Sequence, residues 1–558
     1  MTETLKKALI KALEKQGIDN PEVHLEHPED NTFGDFSTNT ALAYSKQLKK
    51  NPKVFAEELA EELKSQKLEN VTSIDIAGPG FINFKIADEY FANQIIETSK
   101  DLENYGRLAT DKGKRVMVEY TDPNPFKIFH IGHLMANTIG ESLSRIVEFS
   151  GAKVVRACYQ GDVGLHVAKT IWALSKELVK NPEIEMTVKY LGEMYVIGNE
   201  KYEVDETAKK EIIKVNKKVF DKSDERINEI YETGRKLSLV YFDSIYKKVG
   251  TKFDNFFFES EVADDGIKIV KEFLKKGIFE VSEGATIFPG EKYGEHTRVF
   301  ISSQGLPTYE AKELGLTQKK FELYPDLVES VVITANEQNA YFKVILAAEK
   351  AIAPEIASKM KHISHGILRP SSGKMSSRKG NVVSADDLIE EFEALVQEKI
   401  KERNFDMATS TKVTQEVAIA GLKYTVLRQA IGGDIIYDPT KAISFEGDSG
   451  PYLQYAAVRA QTILSKAGET KGKIELPEKV EMLEKLLLRF PEVVERARFE
   501  YAPNYIVTYL TELAAAFNSY YANYKIIESP YRLILTKVFA QTMKNGLWIL
   551  GIKVPEKM

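Results

Sequence analysis

Two histidines three residues apart are the first side chains in this sequence whose spacing points to chemistry. His130 and His133 lie in the segment Pro123-Asn-Pro-Phe-Lys-Ile-Phe-His-Ile-Gly-His133, which follows a short apolar run and opens an amphipathic one. In the first turn of a helix the two rings share one face, and both can donate hydrogen bonds to phosphate oxygens. Gly132 has no Cβ, so a flat adenine ring can approach the backbone. This pattern favours a nucleotide site, and the alternatives are a chance pair or half of a metal site.

A second segment has the cations that a triphosphate requires. Gly373-Lys-Met-Ser-Ser-Arg-Lys-Gly-Asn381 places basic side chains and hydroxyls between two glycines. Between Ile356 and Ala385 there is no acidic residue, whereas the basic residues are Lys359, Lys361, Arg369, Lys374, Arg378 and Lys379. A solvated basic loop is the simpler interpretation, and a clamp on the phosphates of ATP is the functional one.

The elements that position these segments alternate between strand and helix patterns. Arg115-Val-Met-Val-Glu-Tyr120 predicts a short buried strand, a helix follows through about Phe149, and Lys153-Val-Val-Arg-Ala157 predicts the next strand. This order is typical of a doubly wound sheet, which binds nucleotides at the carboxyl ends of its strands. Further strand patterns occur at Ala285–Phe288, Arg298–Ser302 and Ser330–Thr334.

The N-terminal part of the chain predicts a small α+β domain over residues 1–110. It combines two amphipathic helix patterns with the strand pattern Ile74–Ile86, which a Gly-Pro-Gly bend interrupts. We expect Thr2 to cap the first helix and Gly17 to end it.

The rest of the chain predicts two larger parts. An α/β domain is expected over residues 111–395, with solvated, charged helices inserted at about 183–246. After about Leu388 the pattern is nearly all helical, which predicts an all-α domain over residues 396–558.

Composition excludes several classes of protein. The chain has 558 residues, 43% hydrophobic and 28% charged, with a net charge of −6, which indicates several folded domains and no global positive field. Cys158 is the only cysteine, which excludes an intramolecular disulfide and a cysteine-rich zinc site. No apolar run approaches the roughly 18 residues of a membrane span, so no membrane partner is expected. A cytoplasmic monomer is the expected state, because the N-terminus has no leader pattern and no coiled-coil seam is present.

Together the two chemical segments resemble the class I aminoacyl-tRNA synthetases. His130-Ile-Gly-His133 is identical to their HIGH signature, and Lys374-Met-Ser-Ser-Arg378 is similar to their KMSKS loop, from which it departs at its fourth and fifth positions. The resemblance implies that His130, His133 and Lys374 are catalytic, with Mg²⁺ bridging the phosphates of ATP. The implied ATP-binding residues are His130, Gly132, His133, Lys374, Met375, Ser376, Ser377 and Arg378.

Other segments resemble one family of this class, the arginyl-tRNA synthetases. These segments are Val118–Asn124, Gly161–Gly164, Thr308–Glu313, Gln338–Phe342, Gly447–Tyr455 and Leu550–Ile552, together with Gly34–Asn39 and Gly78–Asn83 near the N-terminus. The resemblance implies a multidomain α/β protein in which a Rossmann-like (HUP) nucleotide-binding catalytic domain lies between two others. The first is an N-terminal α+β tRNA-recognition domain, and the other is a C-terminal all-α part with a stem-contact region and an anticodon-binding bundle. The sequence departs from the family pattern at Val163, Glu313 and Tyr341, where Trp, Asp and His are usual.

The chemistry of the candidate substrate pocket agrees with arginine. A guanidinium is planar, permanently charged and rich in donors, so it requires carboxylates and amide or hydroxyl acceptors. Glu119, Tyr309, Glu313 and Gln338 offer that chemistry, and Asn124 would hold the α-amino or carboxylate end of the amino acid.

The resemblance implies two reactions in one site. The arginine carboxylate attacks the α-phosphate of ATP to give arginyl-adenylate and pyrophosphate, and a ribose hydroxyl of the terminal adenosine of tRNA(Arg) then takes the arginyl group. Binding of tRNA is expected to precede activation. The implied tRNA contacts are Tyr452, Gln454, Arg459, Tyr520 and Tyr524. The spacing of the last two tyrosines equally suits helix packing, which we favour for the aromatic residues as a group.

Other functions share part of this pattern. A lysyl- or glutamyl-type class I synthetase has both motifs, but is not expected to have the Gly-Pro-Tyr-Leu-Gln-Tyr segment or this N-terminal domain. A pantothenate-synthetase-like ligase has a similar nucleotide site and no use for a long helical C-terminal part. An inactive RNA-binding paralogue has no use for a triphosphate clamp. A zinc site that recruits His362 and His365 lacks cysteines and an obvious set of carboxylates.

Overall fold

The computed structural model describes residues 1–371, 383–468 and 472–558. The chain forms two compact units, each built from several stretches of sequence. The smaller unit contains Met1–Glu103, Ile463–Arg489 and Ser519–Phe539. The larger unit contains Asn104–Thr462, Phe490–Asn518 and Ala540–Met558. The linear boundaries after residues 110 and 395 stay predictions.

The smaller unit contains the α+β fold expected near the N-terminus. Its helices include α1 (Thr2–Lys15), α2 (Thr40–Ser45), α3 (Pro52–Ser65) and α4 (Asp88–Thr98). Its strands β1 (Phe36–Thr38), β2 (Val71–Ala77) and β3 (Phe81–Ile86) form an antiparallel sheet in the order β1-β3-β2. The Gly-Pro-Gly bend is the turn between β2 and β3. From the later part of the chain, Lys485 contributes an ion pair with the buried Asp35, with 2.6 Å between Nζ and Oδ1.

The start of α1 corrects one expectation. The backbone N–H of Leu5 donates to Met1 O at 3.0 Å, so Met1 occupies the cap position and Thr2 is already helical. The prediction that Thr2 caps this helix is therefore wrong. Gly17 follows the end of the helix with a left-handed φ of 83°, as predicted.

The larger unit is organised around a five-stranded, all-parallel sheet in the order β11-β10-β4-β5-β6. Its strands are β4 (Arg115–Glu119), β5 (Lys153–Gln160), β6 (Asn255–Phe258), β10 (Leu327–Ala335) and β11 (Met360–His365). The helices that connect them include α5 (Ile131–Phe149), α10 (Glu259–Lys275), α11 (Tyr309–Leu323), α12 (Asn339–Ile352) and α13 (Pro354–Ala357). The doubly wound α/β class is thereby confirmed. Glu119 ends the central strand β4, paired with Ala157 on one side and Val332 on the other.

Two of the predicted strands lie outside this sheet. Between α10 and α11, β7 (Glu280–Ser282), β8 (Ala285–Phe288) and β9 (Arg298–Ile301) form a separate antiparallel sheet. A tight turn at Gly284, with φ of 79°, joins β7 to β8, and a turn this short can only connect antiparallel neighbours. The buried rings of Phe279, Phe288 and Phe300 pack beside this sheet.

Four helices with a core of their own lie between β5 and β6, over a longer stretch than the predicted insertion at about 183–246. These helices are α6 (Leu165–Lys180), α7 (Val188–Val204), α8 (Glu206–Asp221) and α9 (Glu225–Val249). The sequence predicts solvated helices, but each has a buried apolar stripe, and these stripes meet around Ile171, Leu191, Ile212 and Ile230. Charged residues cover only the outer faces.

The rest of the described chain is mainly helical, as predicted. The helices are α14 (Ala385–Ile400), α15 (Met407–Leu427), α16 (Pro439–Ala442), α17 (Gly450–Ala467), α18 (Met482–Leu488), α19 (Phe490–Glu500), α20 (Asn504–Asn523) and α21 (Pro530–Ile549). Two short strands, β12 (Leu368–Pro370) and β13 (Ile435–Tyr437), form a parallel pair, so β13 interrupts the helical pattern in the described residues after Leu388. Among the described residues, no helix has the length and apolar character needed to cross a membrane.

Close packing of α5 on β4 depends on Gly140. A Cβ at this position would lie 2.1 Å from Cγ of Tyr120, the residue that follows β4. The Tyr120 ring is fully buried, and its hydroxyl donates to Glu141 Oε2 at 2.6 Å. This contact fixes the distance between the strand that ends at Glu119 and the helix that begins after His130.

We expect Gly140→Ala to lower the free energy of unfolding by about 1–3 kcal/mol, since overpacking outweighs the gain in helix propensity. Urea denaturation followed by circular dichroism measures this difference. The matched control is Gly433→Ala, because an added Cβ there meets no atom within 4 Å. Equal stability of Gly140→Ala and the wild-type protein would contradict the close contact.

Candidate active site

The loop between β4 and α5 is held in a strained conformation. Thr121, Asp122 and Phe126 have positive φ angles of 85°, 44° and 68°. Side chains fix this backbone: Asn137 Nδ2 donates to Thr121 Oγ1 at 3.0 Å, and Phe126 N donates to Ser238 Oγ at 3.0 Å. Left-handed conformations of non-glycine residues persist where the surroundings enforce them, and they concentrate at functional sites.

His130 and His133 lie at the N-terminus of α5 with their rings stacked, and the ring centroids are 3.6 Å apart. The Gly132 N–H donates to His130 Nδ1 at 3.1 Å, and the His130 N–H donates to His133 Nδ1 at 3.3 Å. In both rings Nδ1 is therefore an acceptor, so the proton of the neutral imidazole is on Nε2. Both histidines of the predicted nucleotide site consequently present an Nε2–H donor.

Electrostatics keep both imidazoles neutral. Burial, aided by the positive charge of Lys127, lowers the pKa of His130 to about 4. The pKa of His133 is also well below its usual value because of burial, His130 and Lys127. These histidines can act as dipolar donors at neutral pH, in addition to the positive end of the α5 dipole.

The segment after the predicted phosphate clamp is hydrogen-bonded to the start of α5. Ile131 N donates to Val383 O at 3.2 Å, and Ala385 N donates to Phe129 O at 2.8 Å. The residues that follow the second motif therefore lie beside the first motif. Lys374, Met375, Ser376, Ser377 and Arg378 themselves lie outside the described residues.

Glu119, a predicted arginine ligand, lies in a buried ion pair at the end of β4. Its Oε2 is 2.8 Å from Nζ of Lys320 on α11, and both side chains are only 2% exposed. Burial alone lowers the pKa of Lys320, but the carboxylates of Glu119 and Glu313 raise it above its usual value. The lysine is therefore a permanent cation inside the domain.

Glu313 faces the same region from α11. The hydroxyl of Tyr341 lies 3.4 Å from Glu313 Oε2, and no hydrogen-bond donor in the described part of the chain reaches Oε1. Burial raises the pKa of Glu313 to about 8, although Lys320 opposes this shift. An unpaired buried oxygen is costly, and a guanidinium would satisfy it.

Asn124 is positioned by close contact with a glycine. A Cβ on Gly161 would lie 2.2 Å from Asn124 Oδ1, so only a residue without a side chain allows this placement. Glu259 lies nearby and pairs with Lys312, a buried lysine of α11. The amide of Asn124 thus lies at the carboxyl end of β5, next to the end of β4.

Tyr309 and Gln338 are more accessible than the carboxylates. Tyr309 begins α11 with 53% of its surface exposed, and its hydroxyl is 3.5 Å from Nδ1 of His166. His166 Nε2 contacts Gly161 O at 2.7 Å, so one ring joins Tyr309 to the turn after β5. Gln338 is exposed in the short 3-10 helix Asn336–Gln338, after β10.

Three of the predicted tRNA contacts lie on α17 and differ in exposure. Gln454 is fully buried and donates to the carbonyls of Glu416 and Lys553, at 3.2 and 2.6 Å. Tyr452 and Arg459 are partly exposed, and both are hydrogen-bonded to the side chain of Asn518. A nucleotide can therefore reach Tyr452 and Arg459 but not Gln454.

The other two predicted tRNA contacts lie in the smaller unit. Tyr520 is 93% buried, which agrees with the packing interpretation, whereas Tyr524 is partly exposed. The two rings are 4.6 Å apart, and the Tyr524 hydroxyl donates to Glu481 at 2.7 Å.

Sequence reasoning missed the partners of the pocket residues. Lys320 and His166 are not singled out by any motif. A signal for Lys320 exists, because it follows Glu313 by seven residues and so lies on the same, buried face of α11. No comparable sequence signal identifies His166, which approaches Tyr309 only through the tertiary fold.

The zinc alternative gains no support in the described part of the chain. His362 Nε2 is 2.8 Å from Thr334 Oγ1, and its ring stacks on Phe342. Within residues 1–371, 383–468 and 472–558, no group of three His, Cys, Asp or Glu side chains is arranged to hold a metal ion.

Three family models match the chain. Residues 1–86 match the arginyl tRNA synthetase N terminal domain, residues 97–438 match the catalytic domain of tRNA synthetases class I (R), and residues 453–558 match the DALR anticodon binding domain. The chain is 30% identical to the arginine–tRNA ligase of Clostridium acetobutylicum over 550 residues, which cover 96% of each protein. It is also 30% identical to that of Limosilactobacillus reuteri over 572 residues, which cover 99% of this chain and 98% of the relative.

Two solved structures share the fold over nearly the full length. Arginyl-tRNA synthetase from Thermus thermophilus has a TM-score of 0.83 at 24% identity, and covers 100% of both chains. The Plasmodium falciparum arginyl-tRNA synthetase has a TM-score of 0.80 at 19% identity, and covers 100% of this chain and 99% of its own. These structures establish the architecture. With the full-length relatives and the catalytic-domain match, the chain belongs to the arginyl-tRNA synthetase family of class I aminoacyl-tRNA synthetases.

Proposed function

We propose that this chain is an ATP-dependent arginine–tRNA ligase whose reactions take place where β4, α5 and α11 meet. The observation on which this depends is the combination of two kinds of group at one edge of the sheet. Two neutral imidazoles present Nε2–H donors at the start of α5, and two buried carboxyls, Glu119 and Glu313, face the same region. The first pair suits phosphate, and the second suits a guanidinium.

In the activation step, the arginine carboxylate attacks the α-phosphate of ATP and pyrophosphate leaves. His130 and His133 donate to the phosphate oxygens on which charge develops, and the absence of a side chain at Gly132 leaves room for the adenine. Lys374, Met375, Ser376, Ser377 and Arg378 are proposed to bind the same phosphates. Mg²⁺ would arrive on the phosphates of ATP and neutralise part of their charge.

Recognition of arginine is assigned to groups at the ends of β4 and β10 and on α11. Glu119 and Glu313 accept hydrogen bonds from the guanidinium, while Tyr309 and Gln338 contribute neutral polar groups. Asn124, held against Gly161, binds the α-amino or carboxylate end. Placement of the substrate by fixed groups supplies much of the rate enhancement in a reaction of this kind.

In the transfer step, a ribose hydroxyl of the terminal adenosine of tRNA(Arg) attacks the arginyl carbonyl, and AMP leaves. We propose that tRNA binds before activation. Tyr452, Arg459 and Tyr524 remain candidate tRNA contacts, because each is partly exposed. Gln454 and Tyr520 would act by supporting their neighbours. A monomeric state and a cytoplasmic location stay predictions.

The purified protein, given ATP, Mg²⁺, tRNA(Arg) and each amino acid in turn, is expected to charge arginine and no other amino acid at a comparable rate. Exchange of pyrophosphate into ATP is expected only when tRNA is present. Both rates are measured with radiolabelled substrates. Charging of lysine or glutamate in place of arginine contradicts the specificity, and exchange without RNA contradicts the proposed order of binding.

Two substitutions of His133 distinguish the roles of its ring nitrogens, the acceptor Nδ1 and the donor Nε2. Asn places an acceptor near the position of Nδ1 and retains the hydrogen bond from His130 N, whereas Gln places an amide N–H near the position of Nε2. We expect His133→Asn to slow arginine activation by roughly one to three orders of magnitude, the usual effect of losing one donor to a developing oxyanion. His133→Gln is expected to retain more activity.

Single-turnover activation rates and tRNA affinity, measured by filter binding, test this prediction. Removal of the imidazole by His133→Ala is expected to leave tRNA affinity nearly unchanged. If all three variants lose activation and tRNA affinity to the same degree, His133 has a structural role and the assignment is wrong.

A further inference from the structure

Lys320 is a buried lysine to which neither the signature motifs nor the proposed mechanism assigns a role. Its Nζ lies 2.8 Å from Glu119 Oε2, and each side chain is 2% exposed. Burying an ion pair costs several kcal/mol per charge in desolvation, so such pairs are weak sources of stability. A buried ion pair at the end of the central strand therefore indicates a role other than stability.

The surroundings of this pair contain more carboxyl groups than cations. The titratable groups that face it come from five parts of the fold. They are Glu119 at the end of β4, Asp122 in the loop that follows, Tyr159 on β5, Glu313 and Lys320 on α11, and Tyr341 and Glu349 on α12. Beyond Tyr159, Glu259 of α10 pairs with Lys312 of α11. The cluster around Glu119 therefore has four carboxyl groups and one ammonium.

Such a cluster cannot have all its carboxyl groups ionised. Burial raises the pKa of Glu313 to about 8 and that of Glu349 to about 7. Burial and the charge of Glu119 raise the pKa of Asp122 well above its usual value. Near pH 7 the empty pocket therefore contains bound protons, and a cation that enters must displace at least one of them.

We propose that Lys320 is a positioning residue of the arginine pocket, which holds the Glu119 side chain in a buried ion pair at the place where the guanidinium binds. Arginine binding then displaces protons from the remaining carboxyl groups of the cluster. This inference rests on the proposed arginine ligase activity. An ammonium has three donors and no acceptor, so Lys320 cannot accept a hydrogen bond from a guanidinium and acts through Glu119. Glu313 Oε1, which no hydrogen-bond donor among the described residues reaches, remains for the substrate.

The role proposed for the Lys320 ammonium accounts for its position next to the place where the arginine guanidinium binds. Without Lys320, the cluster would lower its charge by taking up another proton, and arginine would have to displace that proton as well. With Lys320, the Glu119 side chain is held in place before the substrate arrives.

The substitution Lys320→Met tests the proposal by removing the ammonium at nearly constant length. At pH 7 we expect the KM for arginine to rise by about tenfold or more, the effect of displacing one proton across about one pH unit. The kcat and the KM for ATP are expected to change by less than about threefold, and the arginine defect is expected to shrink as pH rises from 7 to 8.5. Lys320→Arg keeps the charge and is expected to restore arginine affinity.

Calorimetry gives a second readout that a merely structural defect does not change. Arginine is titrated into the protein bound to tRNA, without ATP, in two buffers of different ionisation enthalpy. The difference in apparent enthalpy gives the number of protons released on binding. We expect Lys320→Met to release more protons per arginine at pH 7 than the wild-type protein.

Lys319→Met is the matched control, because it makes the same change one residue away and removes only a partly exposed ion pair with Glu261. Its arginine KM and proton release are expected to equal those of the wild-type protein. If Lys320→Met does not fold, as judged by circular dichroism, Lys320→Gln provides the same comparison.

Failure of the proposed function and failure of the proposed role of Lys320 give different results. If the wild-type protein does not charge arginine, the proposed function fails. If it does, and Lys320→Met leaves arginine KM and proton release unchanged, or lowers the KM, only the role of Lys320 is refuted. A loss that is the same at pH 7 and 8.5, with unchanged proton release, also refutes it.

Discussion

The packing of α5 against β4 through Tyr120 and Gly140 is the contact on which the candidate site depends. It places Glu119, the last residue of the strand, at a fixed distance from the histidines that begin the helix. The intervening loop must then adopt left-handed conformations, including that of the β-branched Thr121, at about 1–3 kcal/mol each. Hydrogen bonds with α5, β5 and α9 hold this loop, so three neighbouring elements stabilise its conformation.

Burial lowers the pKa of the imidazoles in one part of this site and raises the pKa of the carboxyl groups in the other. On the nucleotide side it keeps His130 and His133 neutral, so they present N–H donors and leave positive charge to other groups. Where arginine is proposed to bind, burial raises the pKa of the carboxyl groups of Glu313 and Glu349. The net charge of −6 reveals neither arrangement, because it averages over the whole chain and says nothing about burial.

Local patterns in the sequence predict the strand-turn-helix-strand unit, the His pair and the helical insertion, since these depend on periodicity and short spacings. Features that depend on tertiary contacts could not be predicted. The separate antiparallel sheet at Ala285–Phe288 looks like any other strand pattern, and the burial of Gln454 depends on carbonyls far away in the chain. The pairing of Lys320 with Glu119 joins positions about 200 residues apart, which no local pattern reports.

Two departures from the family pattern prove to be in contact, and this changes their interpretation. Glu313 is one methylene longer than the usual Asp, and Tyr341 replaces a usual His. The Tyr341 hydroxyl lies 3.4 Å from Glu313 Oε2 and 3.2 Å from Tyr309 O, so one side chain links both predicted arginine ligands on α11. Burial and Glu313 raise the pKa of Tyr341, so its hydroxyl stays neutral near pH 7, in the range where an imidazole titrates. The two departures therefore form one contact, in which the longer carboxylate of Glu313 lies beside the hydroxyl of the residue that replaces the usual His.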